Sequence, residues 1–131
     1  MKSMKSILAM TTIAMLAIGG SARADIWSAG PAYPGTPAGL VTCRIFNAGL
    51  NAVTVAVRQL FINTSAAPIA LSSDTCGPAV PPQGYCAFSA VVSGNFAYTC
   101  RVFANGTDNN ISGAIDVRTS SGIPAFLPLH K

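Results

Sequence analysis

The sequence predicts an all-β domain: a small antiparallel β-sandwich of about seven strands, closed by two disulfides. Three observations carry that expectation. Short apolar stretches alternate with polar residues at the two-residue period of a strand, separated by clusters of Gly, Pro, Asn, Asp and Ser, with no helical period beyond residue 24. One motif occurs twice, TCRIFNAG at 42–49 and TCRVFANG at 99–106, and each copy precedes a further strand pattern ending in arginine, VTVAVR at 53–58 and SGAIDVR at 112–118. Four cysteines, an even number, lie between 43 and 100.

Taken in order, Lys2 and Lys5 precede an apolar run from Ile7 to Ile18, and Ala22-Arg23-Ala24 follows. A charged start, a short apolar run and an A-x-A site form the layout of a secretory signal peptide over 1–24. The run of 12 residues falls well short of the roughly 20 needed to cross a bilayer. Cleavage after Ala24 leaves 107 residues, no membrane span, and a protein destined for the periplasm or the extracellular medium.

Loss of that segment also changes the charge. The chain carries +4 overall, but from residue 25 onward Arg44, Arg58, Arg101, Arg118 and Lys131 face Asp25, Asp74, Asp108 and Asp116, a net +1. Nucleic-acid binding needs clustered cations to displace counterions from phosphates, and no such cluster exists here.

Residues 25–39, with three prolines and three glycines, are expected to form an N-terminal arm ahead of a sandwich domain over 40–131. Trp27 either begins a strand or folds back over the core. Such an arm is also able to dock onto another molecule as an added strand.

From Leu40, alternation places Val41, Cys43 and Ile45 inward and Thr42, Arg44 and Phe46 outward. Asn47-Ala48-Gly49 turns the chain. Val53, Val55 and Val57 then point inward, with Arg58 outward, and a third strand is expected through Ile69 and Leu71 to Asp74. Cys86, Phe88, Ala90 and Val92 alternate again. Phe96, Tyr98, Cys100 and Val102 are expected to face inward on the next strand, leaving Thr99, Arg101 and Phe103 outside. Ile111, Ile115 and Val117 mark another strand, with Asp116 and Arg118 outside. Ile123–Leu129 is expected at a sheet edge, because Pro124 and Pro128 cannot donate to an inner ladder.

Four cysteines allow three pairings. Cys43 with Cys100 is favoured because the two occupy equivalent positions of the repeat, which an approximate two-fold relation would bring together. Cys76 with Cys86 then closes a loop containing Pro78, Pro81, Pro82 and Gly84. Two free buried thiols beside a single bond is the alternative. Zinc is disfavoured because C-x-x-C spacing is missing and export is oxidising.

The run CGPAVPPQGYC at 76–86 resembles the cysteine-bracketed hairpin, roughly CGxxLxPGxxC, of bacterial exported immunoglobulin-like sandwich domains. Tyr98, two residues before Cys100, is similar to the Tyr-x-Cys of immunoglobulin strand F, with Cys43 in the place of the first core cysteine. The chain departs from these patterns at Gln83-Gly84, where Pro-Gly is usual, and at Trp27, which precedes both core cysteines. The resemblance implies an immunoglobulin-like fold and a structural, adhesive or recognition role.

Catalytic chemistry finds little support. His130 is the one histidine and stands next to the last residue, a poor place to hold a base. No glycine-rich loop opens a helix to cradle phosphate, so neither cofactor nor metal is expected. Asp108-Asn109-Asn110 offers oxygens for calcium but equally suits an ordinary turn. The candidate binding face is Arg44, Phe46, Arg101 and Phe103, outward positions of the repeat that form one patch if their strands share a sheet.

The expected function is therefore an exported, non-catalytic module for structure or for protein and surface recognition, its partner another envelope or extracellular protein. A small-ligand-binding or inhibitor module is the alternative, and a hydrolase using His130 a further one.

Overall fold

Alternation of small or branched apolar residues with polar ones makes eight strands in the computed structural model, which describes residues 24–105 and 110–131. They are β1 (Ala24–Ala32), β2 (Ala38–Asn47), β3 (Thr54–Ile62), β4 (Ser73–Asp74), β5 (Tyr85–Val91), β6 (Tyr98–Asn105), β7 (Ile111–Thr119) and β8 (Gly122–Pro128). A three-stranded sheet has the order β1-β6-β3, and a five-stranded sheet the order β4-β5-β2-β7-β8. Every pairing is antiparallel. The expected all-β sandwich with two disulfides is what the chain forms.

The inward residues of both sheets meet in one hydrophobic core. Tyr98, Phe88, Ile45, Leu60, Ile115, Val41, Val102 and Val117 are fully buried. Phe96, expected inward, precedes the first residue of β6 and is exposed, its ring lying over Gly94 in the turn instead of in the core. Cys43 of β2 and Cys100 of β6 join the two sheets, their Cα atoms 6.0 Å apart. Cys76 and Cys86 close the proline loop. The Tyr98 hydroxyl donates to the Gly94 carbonyl at 3.3 Å, and burial holds its phenol above the ordinary value of 10.0.

The repeat survives as topology and not as register. β2 pairs with β7 while β3 pairs with β6, so exchanging the two halves maps one ladder onto the other. Cys43 stands opposite Ile115, however, whereas Cys100 stands opposite Leu60 rather than Val55, the residue that the matching arginines would place there.

Most of that five-residue offset is present along the ladder from Val55 opposite Ala104, and the last residue of it enters at an irregularity between Val55 and Val57. A bulge inserts a residue and reverses the facing of everything beyond it. Val57, expected in the core, turns to the outer face opposite Phe103, and Leu60 takes the core position. Arg58, expected outward, turns toward the gap between the sheet edges. There its Nε donates to Asp74 of β4 at 2.7 Å, and its Nη1 donates to the carbonyls of Val55 (2.7 Å) and Gly77 (3.1 Å).

The strand expected through Ile69 and Leu71 is not formed, and only Ser73–Asp74 pairs with β5. The Ile69 N–H donates to Leu60 of the three-stranded sheet, and the Ser72 N–H to Ser89 of the five-stranded one. A segment passing from one sheet to the other in so few residues belongs to neither ladder.

The N-terminal stretch read as an arm lies partly inside the sandwich. β1 pairs with β6 from Ala24 to Ala29 and again at Ala32, with an irregularity between, and buries Trp27, Ala29 and Ala32. Its other edge meets the C-terminal segment, where the backbones of Ser28 and His130 exchange two hydrogen bonds of 2.8 Å. β8 occupies the sheet edge expected of it.

Between β2 and the proline loop sits Asn47, completely buried. Its Nδ2 faces the carbonyls of Asn51 (2.8 Å), Val80 (3.1 Å) and Pro81 (3.2 Å), and its Oδ1 accepts from the Gly49 N–H at 2.9 Å. One side chain thus ties the turn after β2 to the hairpin closed by Cys76 and Cys86.

The signal-peptide layout lies outside the described residues except for Ala24, the first residue of β1, and Asp108 and Asn109 of the candidate calcium loop lie outside them too. Among the described residues, no helix is long and apolar enough to cross a membrane. Two disulfides fit an oxidising environment.

Candidate functional site

The two strands that carry the candidate face lie in different sheets, β2 in the five-stranded and β6 in the three-stranded one. Arg44 and Phe46 therefore occupy one outer surface of the sandwich, and Arg101 and Phe103 the opposite one. The single patch that a shared sheet would have made is not assembled.

On the five-stranded side, Arg44 is engaged within its own surface. Its Nε donates to Asp116 Oδ2 at 2.9 Å, and the aspartate side chain is only 3% exposed while that of Arg44 is 47% exposed. Asp116 lies on the outward face as expected, yet is buried there, with Thr42 and Phe126 as its register partners. Phe46 stands beside Tyr85 and Ser112.

The three-stranded side assembles a denser group. Antiparallel pairing aligns Ile26, Phe103 and Val57 in one row, Ser28, Arg101 and Gln59 in the next, and Thr99 with Phe61 in a third. The bulge in β3 is what brings Val57, Gln59 and Phe61 to this surface. Gln59 Oε1 accepts from Arg101 Nε at 3.1 Å and from Nη2 at 2.7 Å. The guanidinium carbon lies 4.8 Å from the Phe61 ring centroid and 5.6 Å from that of Phe103. Such cation–π contacts contribute about 0.5–1 kcal/mol at exposed sites and hold the planar group still.

Among the described residues Arg44, Arg58 and Lys131 each pair with a carboxylate, whereas Arg101 is held by a neutral amide and two rings. Its charge is oriented without being neutralised. Beside it lies a shallow depression of ≈ 370 Å³ lined by Ser28, Phe61, Asn63, Ser65, Thr99 and Arg101. The Thr99 hydroxyl donates to Asn63 Oδ1 at 3.0 Å on its floor.

Sequence reasoning named Arg101 and Phe103 but missed Gln59, Phe61 and Ile26. Valines at 53, 55 and 57 continue one alternation, and only the change of phase to Leu60 and Ile62, masked by Phe61 between them, marks the bulge in the residue pattern. Ile26 was missed because its strand was read as an arm.

His130 is exposed and joins β1 through its backbone. Among the described residues no group of three or more His, Cys, Asp or Glu is placed to hold a metal ion. No family model, curated protein or solved structure matches the chain.

Proposed function

We propose that the protein is an exported, non-catalytic recognition module that binds another envelope or extracellular protein through the outer face of its three-stranded sheet. One observation carries the reading: Arg101 is clamped by Gln59 and flanked by Phe61 and Phe103 with no carboxylate beside it among the described residues. A preorganised arginine among aromatic rings is the side-chain set enriched where binding energy concentrates. Its Nη1 is outside the two bonds to Gln59, which suits a partner presenting a carboxylate or a backbone carbonyl.

The Tyr98 hydroxyl turned back to Gly94, two residues before the core cysteine, supports an immunoglobulin-like arrangement. Export rests on the 1–24 segment and the paired cysteines. The intact mass of protein recovered from the envelope or medium tests it, since cleavage after Ala24 starts the chain at Asp25.

Cross-linking capture with the native protein, Arg101→Glu, Phe103→Ser and Phe46→Ser tests the face. The expected result is loss of the partner with the first two and retention with the third, which lies on the opposite surface. Equal capture by all four proteins sinks the proposal. The depression beside Arg101 supports a second reading, a small-ligand module, and native mass spectrometry distinguishes a bound small molecule from a protein partner.

A further inference from the structure

We propose that β1 exchanges between two copies of this chain, the linker 33–37 acting as the hinge and the β6 edge of the second copy receiving the strand. The inference is independent of the recognition face, which uses the outward side chains of the same sheet.

The topology isolates β1. β7, the strand that follows β6, crosses to the other sheet, so the edge of β6 is covered by the N-terminal strand instead. β1 then leaves for β2 in the opposite sheet through Tyr33-Pro34-Gly35-Thr36-Pro37. What β1 contributes is a row of backbone bonds to β6, the buried side chains of Trp27, Ala29 and Ala32, the Ser28–His130 bridge and the Asp25–Lys131 pair at 2.7 Å. All of these are equally available from the β1 of a second copy.

The linker has conflicting preferences. Pro31, Pro34 and Pro37 recur every third residue, the period of a polyproline II helix, and a residue before proline is biased to the same extended region. The intramolecular path requires a bend at Gly35, whose φ is +76°. A side chain there meets no atom within 4 Å, so only backbone conformation, not space, restricts the position. Outside the linker, Asn95 Nδ2 donates to the Gly35 carbonyl at 3.3 Å. Extending Gly35 lets the five linker residues span roughly 15 Å at the polyproline rise and carries β1 away from its own β6. Two copies that exchange β1 reciprocally close as a dimer, with both cores refilled.

The test uses the mature full-length chain. Gly35→Val penalises the bent linker without a clash and should raise the dimerisation constant about ten-fold or more, read by analytical ultracentrifugation. Adding four Gly and Ser residues after Gly35 relaxes the bend and should shift the protein to monomer. Ser28→Cys with Arg101→Cys, register partners across β1 and β6, identifies the strand donor: exchange gives a disulfide linking two chains on a non-reducing gel. The proposal is overturned if the new disulfide stays within one chain at every concentration. It is overturned equally if Gly35→Val is a folded monomer. Should Gly35→Val fail to fold, the cysteine pair in the otherwise native chain decides alone.

Discussion

Arg44, half exposed on β2, holds the carboxylate of Asp116, which is buried on the outward face of β7 with its Oδ1 lacking a hydrogen-bond partner. The pair is asymmetric, because one charge is solvated and the other is not. Removing the solvated member strands the buried one, whereas water compensates in part for the lost guanidinium. Arg44→Ala should cost about 2 kcal/mol, below the range for fully buried pairs. Asp116→Asn should cost less, since a neutral amide is easier to bury. Urea unfolding of the two variants checks the order, and a reversed order refutes the asymmetry.

Asn47 joins two turns through contacts that no apolar residue replaces. Asn47→Ala leaves carbonyls of the proline loop without a donor in a buried site, at a cost of about 3 kcal/mol. Asn47→Asp keeps the shape and removes the donor, so it should be no better. A loss below about 0.5 kcal/mol in either variant contradicts the role.

The disulfides close loops of very different length, with sequence separations of 57 and 10. On the chain-entropy account, replacing Cys43 and Cys100 by alanine should cost about 4 kcal/mol, and replacing Cys76 and Cys86 about 3 kcal/mol. Calorimetry of both double variants measures the ranking. Greater damage from the short-loop pair would show that the proline hairpin contributes through native packing instead.

Tyr98 gives the fold an alkaline limit. Burial raises its folded-state pKa above 10.0, so the folded protein holds the phenolic proton more tightly than the unfolded chain. The resulting stability is complete below pH 10.0 and is lost as pH rises through the folded-state value. Denaturation midpoints across the alkaline range should fall, and Tyr98→Phe should abolish the decline above pH 10.0 that belongs to this group.

Gly113 in β7 stands opposite Ile45, and a Cβ there would run into the Arg44 carbonyl and the Leu129 side chain. Gly113→Ala must push β7 away from β2 at the centre of the larger sheet. The expected cost is about 2 kcal/mol, seen as a lowered thermal midpoint.

Much of this architecture was legible because alternation is a local signal. The inward sets Val41, Cys43, Ile45 and Tyr98, Cys100, Val102 follow from spacing alone, and the pairing of Cys43 with Cys100 follows from the repeat. What escaped depends on the partner strand. The bulge before Val57 exists only in relation to β6, so the inward turn of Arg58 and the outward turn of Phe61 leave no more than a change of apolar phase between Val57 and Leu60, which Phe61 obscures. Asn47 looked like an ordinary turn former because its acceptors at Val80 and Pro81 lie more than thirty residues away. β1 was hidden by its composition, since three prolines and three glycines between 25 and 39 mask the apolar face of Trp27, Ala29 and Ala32.

The borders of both sheets are blunted. β4 is two residues long, β8 carries Pro124 and Pro128, Ser28 is stitched to His130, Val53 just ahead of β3 is bridged to Val80, and Leu60 of β3 accepts from the Ile69 N–H. Lateral stacking of molecules through unpaired backbone, the usual route to insoluble fibres, finds no long flat template among the described residues. Self-association through sheet edges is thereby discouraged even at high protein concentration, which leaves the broad outer faces as the surfaces open to contact.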